Sequence, residues 1–509
     1  MRARLFSLVL FVSLAVPAVP QQRPAPQPPK LVVAIVIDQF RYDYLTRFRS
    51  EYTGGLKRLL DDGASFTNAH YQHVPTVTAA GHSTFLTGAT PALSGIIGNE
   101  WWDRTTNTQV TSVSDTNTKL LGASGAGSSP RRLLQSTIGD ELKSSGKGGK
   151  VIGVSMKDRA AILPAGSSAD GAYWFDAVTG NFVSSTYYFE SLPTWVTQFN
   201  DGRPSDEFAE KEWLKHKMPP PGPALNSAIE ATPFANELIH KFAVHALTAE
   251  KLGTGPKIDV LTVSYSGNDY VGHRYGPDSE EVHDAARRVD TLVGDLIQAA
   301  ESQAGAGNVL VVLTADHGVA PVPEENQRRR LPGGRLDVDR LHATIDLLLH
   351  NKFGGWNWIS FMGESGIYLN PETARVQKAD LAEAEATVAD ALRATPHVFR
   401  AYTRTQLLKG EIATDPVGID VRNGFSQVRS GNVTFVLDPY WIFGDGGTTH
   451  GAPFDYDTHV PILFFGAAIK PGRYDANVAP NDIAPTLATL LDIETPSGSV
   501  GRVLSEMLK

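Results

Sequence analysis

The chain has 509 residues, 20% of them charged, and a formal net charge of -9. That balance, with no basic run interleaved with aromatics, argues against broad nucleic-acid binding, and no nucleic-acid partner is expected. There are no cysteines, which excludes disulfides, thiolate metal ligands and a lipidated N-terminal Cys.

Residues 1–20 read as a secretory signal peptide: Arg2 and Arg4 form a basic start, Leu5 to Val16 an apolar run, and Val16-Pro17-Ala18 a small-residue cleavage site. The run is too short to cross a bilayer, and no later stretch reaches about 18 apolar residues, so no stable membrane insertion is expected. Residues 21–29 form a Pro-rich linker. The mature protein is therefore expected to be periplasmic or secreted. Residues 30–509 are expected to be one catalytic domain carrying insertions at about 160–235 and 325–440, the first rich in Ser, Pro, Gly and aromatics.

Leu31 to Ile37 is a continuous apolar run rich in β-branched residues, ending at Asp38. Such runs mark strands buried on both faces, as in parallel α/β sheets. The pattern recurs at Val151–Val154, Ile258–Val263, Val309–Leu313 and Ile462–Phe465. Thr78 is predicted to cap a short helix ending near Gly88, which faces a hydroxyl toward the positive end of the helix dipole. Ser279 to Ser302 is an amphipathic helix between two of the strands, and Ala379–Arg393 and Asp482–Leu491 are further helical segments. Strands alternating with helices predict an α/β fold with a mostly parallel central sheet flanked by helices, the insertions forming a cap near the active site.

Three of the strand runs lead into polar clusters: Asp38, the segment carrying Asp269 and His273, and the adjacent pair Asp316-His317. In open α/β sheets ligands bind at the carboxyl ends of the strands, which gathers these clusters into one site. His450, in Gly-Thr-Thr-His-Gly, adds a further imidazole. Carboxylate and neutral imidazole together suit zinc better than manganese or iron. Each residue alone also fits an ordinary role as strand-end cap, helix-face pair or turn.

As a set, Thr78 with these Asp and His residues resembles the alkaline phosphatase superfamily, and is most similar to its threonine-nucleophile bacterial alkaline phosphatases. The resemblance implies two Zn2+ per chain, one held by Asp269, His273 and His450, the other by Asp38, Asp316, His317 and the Thr78 oxygen. His459 is the alternative to His450, but it lacks the family's Thr-His-Gly context and was expected to open a strand. Thr78 is implied as the nucleophile, forming a phosphothreonine, and Asn99 as a ligand of a phosphoryl oxygen. Lys157 and Arg159 match the family's Lys-x-Arg; on an extended chain both would point to one side and bind the additional anionic oxygen of a monoester. The expected substrates are small-molecule phosphate monoesters, with a phosphodiesterase or nucleotide pyrophosphatase as the alternative and an inactive metal-binding protein behind both.

Overall fold

The computed structural model describes residues 28–509 apart from Ala413. The expected signal peptide and all but the last two residues of the expected linker lie outside the described residues. Eleven strands form the central sheet: β1 (Leu31–Ile37), β2 (Ala64–Ala69), β3 (Ser114–Leu121), β4 (Ala126–Ser128), β5 (Gly148–Ser155), β6 (Gly171–Asp176), β7 (Asn181–Ser185), β8 (Ile258–Tyr265), β9 (Val309–Thr314), β10 (Ile462–Phe465) and β11 (Gly472–Val478). Their order across the sheet is β11-β2-β10-β9-β1-β8-β5-β6-β7-β3-β4. The five strands from β9 to β6 are parallel, and antiparallel strands follow on either side.

The composition of β1 explains its place at the centre. All seven residues are buried, and alternate side chains enter opposite layers. Leu31, Val33, Ile35 and Ile37 join one apolar core, while Val32, Ala34 and Val36 join another. Burying such a side chain contributes roughly 1.5–3 kcal/mol, which a strand covered by helices on both faces collects twice over. Six helices matter for the site and its support: α1 (Thr78–Thr87), α2 (Asp158–Ala165), α3 (Phe234–Ala249), α4 (Gly267–Tyr275), α5 (Glu280–Ala304) and α6 (Ile483–Leu491). Side chains of α3 and α5 fill the first core; α6 and Phe85 of α1 fill the second. The helix at Leu381–Ala394 also lies close to its expected span.

The two insertions take different forms. Residues 160–235 begin by adding β6 and β7 to the central sheet, because the aromatic run Tyr173-Trp174-Phe175 is itself strand-forming and buried. Residues 325–440 build a separate four-stranded sheet in the order Ile359–Gly363, Gly366–Leu369, Val433–Leu437, Val398–Thr403. Its core of Leu341, Ile345, Trp358, Val388 and Leu392 is distinct from those of the central sheet. Among the described residues no helix is long and apolar enough to cross a membrane.

Candidate metal centre and nucleophile

The four parallel strands β9, β1, β8 and β5 end side by side, with Val36 in register with Thr314 and Ser264 with Ser155. Asp38 follows β1 directly, Asp316 and His317 follow β9, Lys157 follows β5, and Asp269 stands in the first turn of α4 just after β8. Residues far apart in sequence therefore meet because their strands are neighbours. His273 lies one turn beyond Asp269 on the same helix face, with Nε2 3.2 Å from Asp269 Oδ1. His450 arrives from an irregular loop, its Nε2 3.8 Å from the same oxygen.

Ligand atoms of Asp269, His273 and His450 lie within 4.8 Å of one another, as do those of Asp38, Asp269 and His317. Asp316 Oδ2 stands 3.3 Å from His317 Nε2. The donor set fits a metal in two further respects. Each imidazole hydrogen-bonds a backbone carbonyl through Nδ1: His273 to Thr448 at 2.7 Å, His450 to Thr76 at 2.8 Å and His317 to Gly318 at 2.9 Å. A carbonyl only accepts, so each Nδ1 carries the proton and each Nε2 presents a lone pair to the cluster. Asp38 Oδ1 and Asp316 Oδ2 are buried with no hydrogen-bond partner among the described residues, an arrangement that is costly unless a cation satisfies them. His82 Nδ1 comes within 3.2 Å of Asp316 Oδ2, but its proton goes to the Thr78 carbonyl at 2.9 Å.

Thr78 opens α1, and here the structure corrects the predicted capping role. Val77 is the cap residue and makes no side-chain cap bond, so the Thr78 hydroxyl is not engaged in closing the helix end. Its Oγ1 lies 3.5 Å from both His317 Nε2 and Lys157 Nζ. The helix is seated hard against the β9 loop: a Cβ on Gly81 would come 2.2 Å from the Asp316 carbonyl oxygen. Only a glycine admits that approach.

Lys157 is buried, 5% exposed, and its Nζ lies 2.7 Å from Asp38 Oδ2 and 2.5 Å from Asp269 Oδ2. Burial works against its charge, but Asp269 and Asp38 hold the ammonium above its ordinary range. Burial, aided by Asp316, pushes Asp38 well above the usual carboxylate range. Against the same upward push of burial, His273 and Lys157 hold Asp269 well below it. Arg159 is not on an extended chain as expected. Asp158 starts α2 immediately after Lys157, so Arg159 occupies the first helical turn. Burial opposes its charge too, but Asp158, then Tyr270, Asp38 and Asp269, keep it raised, and its Nε is buried without a partner among the described residues.

Asn99 Oδ1 accepts the Ala79 N–H at 3.0 Å, which docks it beside Thr78. Its Nδ2 donates to Glu364 Oε1 at 3.3 Å. Glu364 belongs to the inserted sheet's hairpin, so that insertion does reach the site. His459 stays apart: its Nε2 bonds the Thr67 carbonyl at 3.0 Å, its ring stacks between Tyr42 and His70, and it closes the turn Asp455–Thr458 rather than opening a strand.

Several supporting residues escaped the sequence reading. Gln39 donates to Asp269 Oδ1 through Nε2 at 2.7 Å and to Asp316 Oδ1 through its backbone at 3.0 Å; its place beside Asp38 was a usable signal. His82 lies one turn after Thr78 and was equally visible. The Tyr270 ring, 5.0 Å from Lys157 Nζ, neighbours Asp269 in sequence. Glu364 carries no local pattern that distinguishes it.

A family model for type I phosphodiesterase / nucleotide pyrophosphatase matches residues 32–459. The chain belongs to this family, within the alkaline phosphatase superfamily. Its relatives include alkaline phosphatase PhoV of Synechococcus elongatus, 38% identical and covering 94% of this chain and 93% of its own. Alkaline phosphatase PafA of Elizabethkingia meningoseptica is 36% identical, with 94% of each chain covered. The crystal structure of wild-type PafA superposes with a TM-score of 0.89 at 34% identity, over 95% of this chain and 100% of that one. A further PafA structure is of a variant in which a threonine, an asparagine, a lysine and an arginine are replaced, the residue types of Thr78, Asn99, Lys157 and Arg159.

Proposed function

We propose that this protein is a secreted or periplasmic alkaline phosphatase that hydrolyses phosphate monoesters through a phosphothreonine at Thr78. The observation that carries the reading is the position of Lys157, whose ammonium stands among Asp38, Asp269 and the Thr78 hydroxyl. The relatedness to PhoV and PafA supports the same activity, and the N-terminal sequence supports export.

Two zinc ions fit the donor set, one with Asp269, His273 and His450, the other with Asp38, Asp316, His317 and the Thr78 oxygen. When bound they supply Lewis-acid charge that favours an ionised hydroxyl and offsets the negative phosphoryl oxygens. Thr78 Oγ1 attacks phosphorus in line, the bond from phosphorus to the ester oxygen breaks, and the alcohol leaves; water then cleaves the phosphothreonine, releasing phosphate and restoring the hydroxyl. Asn99, fixed by Ala79, donates Nδ2 to a non-bridging oxygen. Lys157 and Arg159 direct their charge at the oxygen that a monoester leaves anionic and a diester has alkylated.

The second reading, a phosphodiesterase, is favoured by the family model, which describes that activity. Parallel measurement of kcat/KM on a phosphate monoester and a matched diester with the zinc-loaded protein separates the two. The monoester is expected to be the better substrate, and a preference for the diester would reject the proposal.

A further inference from the structure

One buried residue outside the ligand set ties together the loops that carry His317 and His450. Asp457 is 0% exposed and lies in the turn Asp455–Thr458. Its Oδ2 accepts the N–H groups of Gly451 at 2.9 Å and Ala452 at 2.8 Å, the two residues directly after His450. Its own carbonyl accepts the N–H of Gly318 at 2.7 Å, the residue directly after His317. The His317 and His450 rings, held from these two loops, stack 3.5 Å apart at 18°.

The loop needs such a tether. Residues 444–454 contain no helix or strand, so the backbone that aims His450 is not fixed by a ladder of its own. Thr448 is anchored on the other side, its hydroxyl donating to the Ala320 carbonyl at 2.7 Å. Asp457 completes the clamp after the histidine. Among the described residues its second oxygen, Oδ1, has no hydrogen-bond partner, so the carboxylate's hydrogen bonds there are those to the two loop N–H groups. Two donors converging on one buried acceptor oxygen give a directional hold.

We propose that Asp457 is a positioning residue for the zinc ligand His450, holding the main chain that follows it so that Nε2 stays aligned with Asp269 and His273. The proposal rests on the zinc-site reading given above. Its selectivity follows from the geometry: the side chain acts on the His450 loop, whereas the contact to the His317 loop is made by the backbone and survives substitution.

Zinc affinity of the full chain, measured by competition with a chromophoric chelator while counting the ions released, tests this on the wild type and on Asp457→Ala, Asp457→Ser and Asp457→Asn. The Ala and Ser variants are expected to bind one of the two zinc ions roughly 10- to 100-fold more weakly and the other unchanged. Asn should restore the affinity, because its amide oxygen can accept both N–H groups. Wild-type affinity in the Ala variant, equal weakening of both ions, or no rescue by Asn would overturn the proposal. So would metal-free Ala and Ser chains that fail to fold by circular dichroism, since Asp457 would then hold the fold and not the ligand. A wild-type chain that binds no zinc would instead reject the site reading, before any variant is compared.

Discussion

Asp38, Asp316 and His317 stand at the ends of buried strands and are 0–1% exposed, whereas His273 and His450 stand on a helix and an irregular loop, their side chains 34% and 6% exposed. The deep half of the site takes its geometry from the sheet: β1 and β9 are hydrogen-bonded neighbours, so their terminal residues have little freedom. The shallow half takes its geometry from a helix and a loop, the loop held in place by separate hydrogen bonds such as those of Thr448 and Asp457. The contrast predicts that the two halves fail differently.

The largest expected effect leaves both halves intact. Thr78→Ala should lower turnover on the order of 10⁴-fold or more, as loss of a catalytic nucleophile does, while metal analysis still finds about two zinc ions. Mass spectrometry of acid-quenched wild type should locate phosphate on Thr78. Loss of metal in the Ala variant would mean that the hydroxyl is needed to hold an ion, and that the nucleophile and the deep half are one unit.

Removing a shallow ligand comes next. His450→Ala should lose one zinc ion and most activity, and His459→Ala should keep both, as read by metal content after dialysis. In the wild type, stepwise chelation should strip one ion clearly before the other. Release of both ions together would erase the distinction between the halves.

A smaller effect is expected where the halves are bridged. Lys157 touches Asp38 of one and Asp269 of the other. Lys157→Ala or Arg159→Ala should lower kcat/KM for a monoester about 10²- to 10³-fold, the scale of one lost charge-assisted contact in a water-poor site, and a matched diester much less. The double variant need not show the product of the single losses if the two cations hold one oxygen together. Equal losses on both esters would assign the pair to holding the site together.

The same contrast governs what could be read from the sequence. The deep half was legible because buried parallel strands are continuous apolar runs, and the polar residues that end them are conspicuous: the strand at Leu31–Ile37 and Asp38 after it were both visible. His450 stood among the candidates as a loop histidine with no periodicity to single it out, and only the resemblance preferred it to His459. Thr78 was found but misread as a cap, because a Thr before an apolar helix suits either position and only the backbone fixes Val77 there. Arg159 was placed on an extended chain because nothing local announced that α2 begins at Asp158. Glu364 could not be anticipated: it reaches Asn99 across 265 residues by the packing of an inserted sheet, a contact carried by tertiary structure alone.

The close seating of Gly81 on the Asp316 carbonyl sets a mechanical tolerance for the whole enzyme. A single methyl group at that position would act as a shim between the helix that carries Thr78 and the strand end that carries Asp316 and His317. Every reacting group would keep its chemical identity, and the separation between them would be wrong. Such a chain would fold around a complete inventory of parts that no longer meet, which makes residue 81, devoid of any functional group, as exacting a position as the threonine one turn before it.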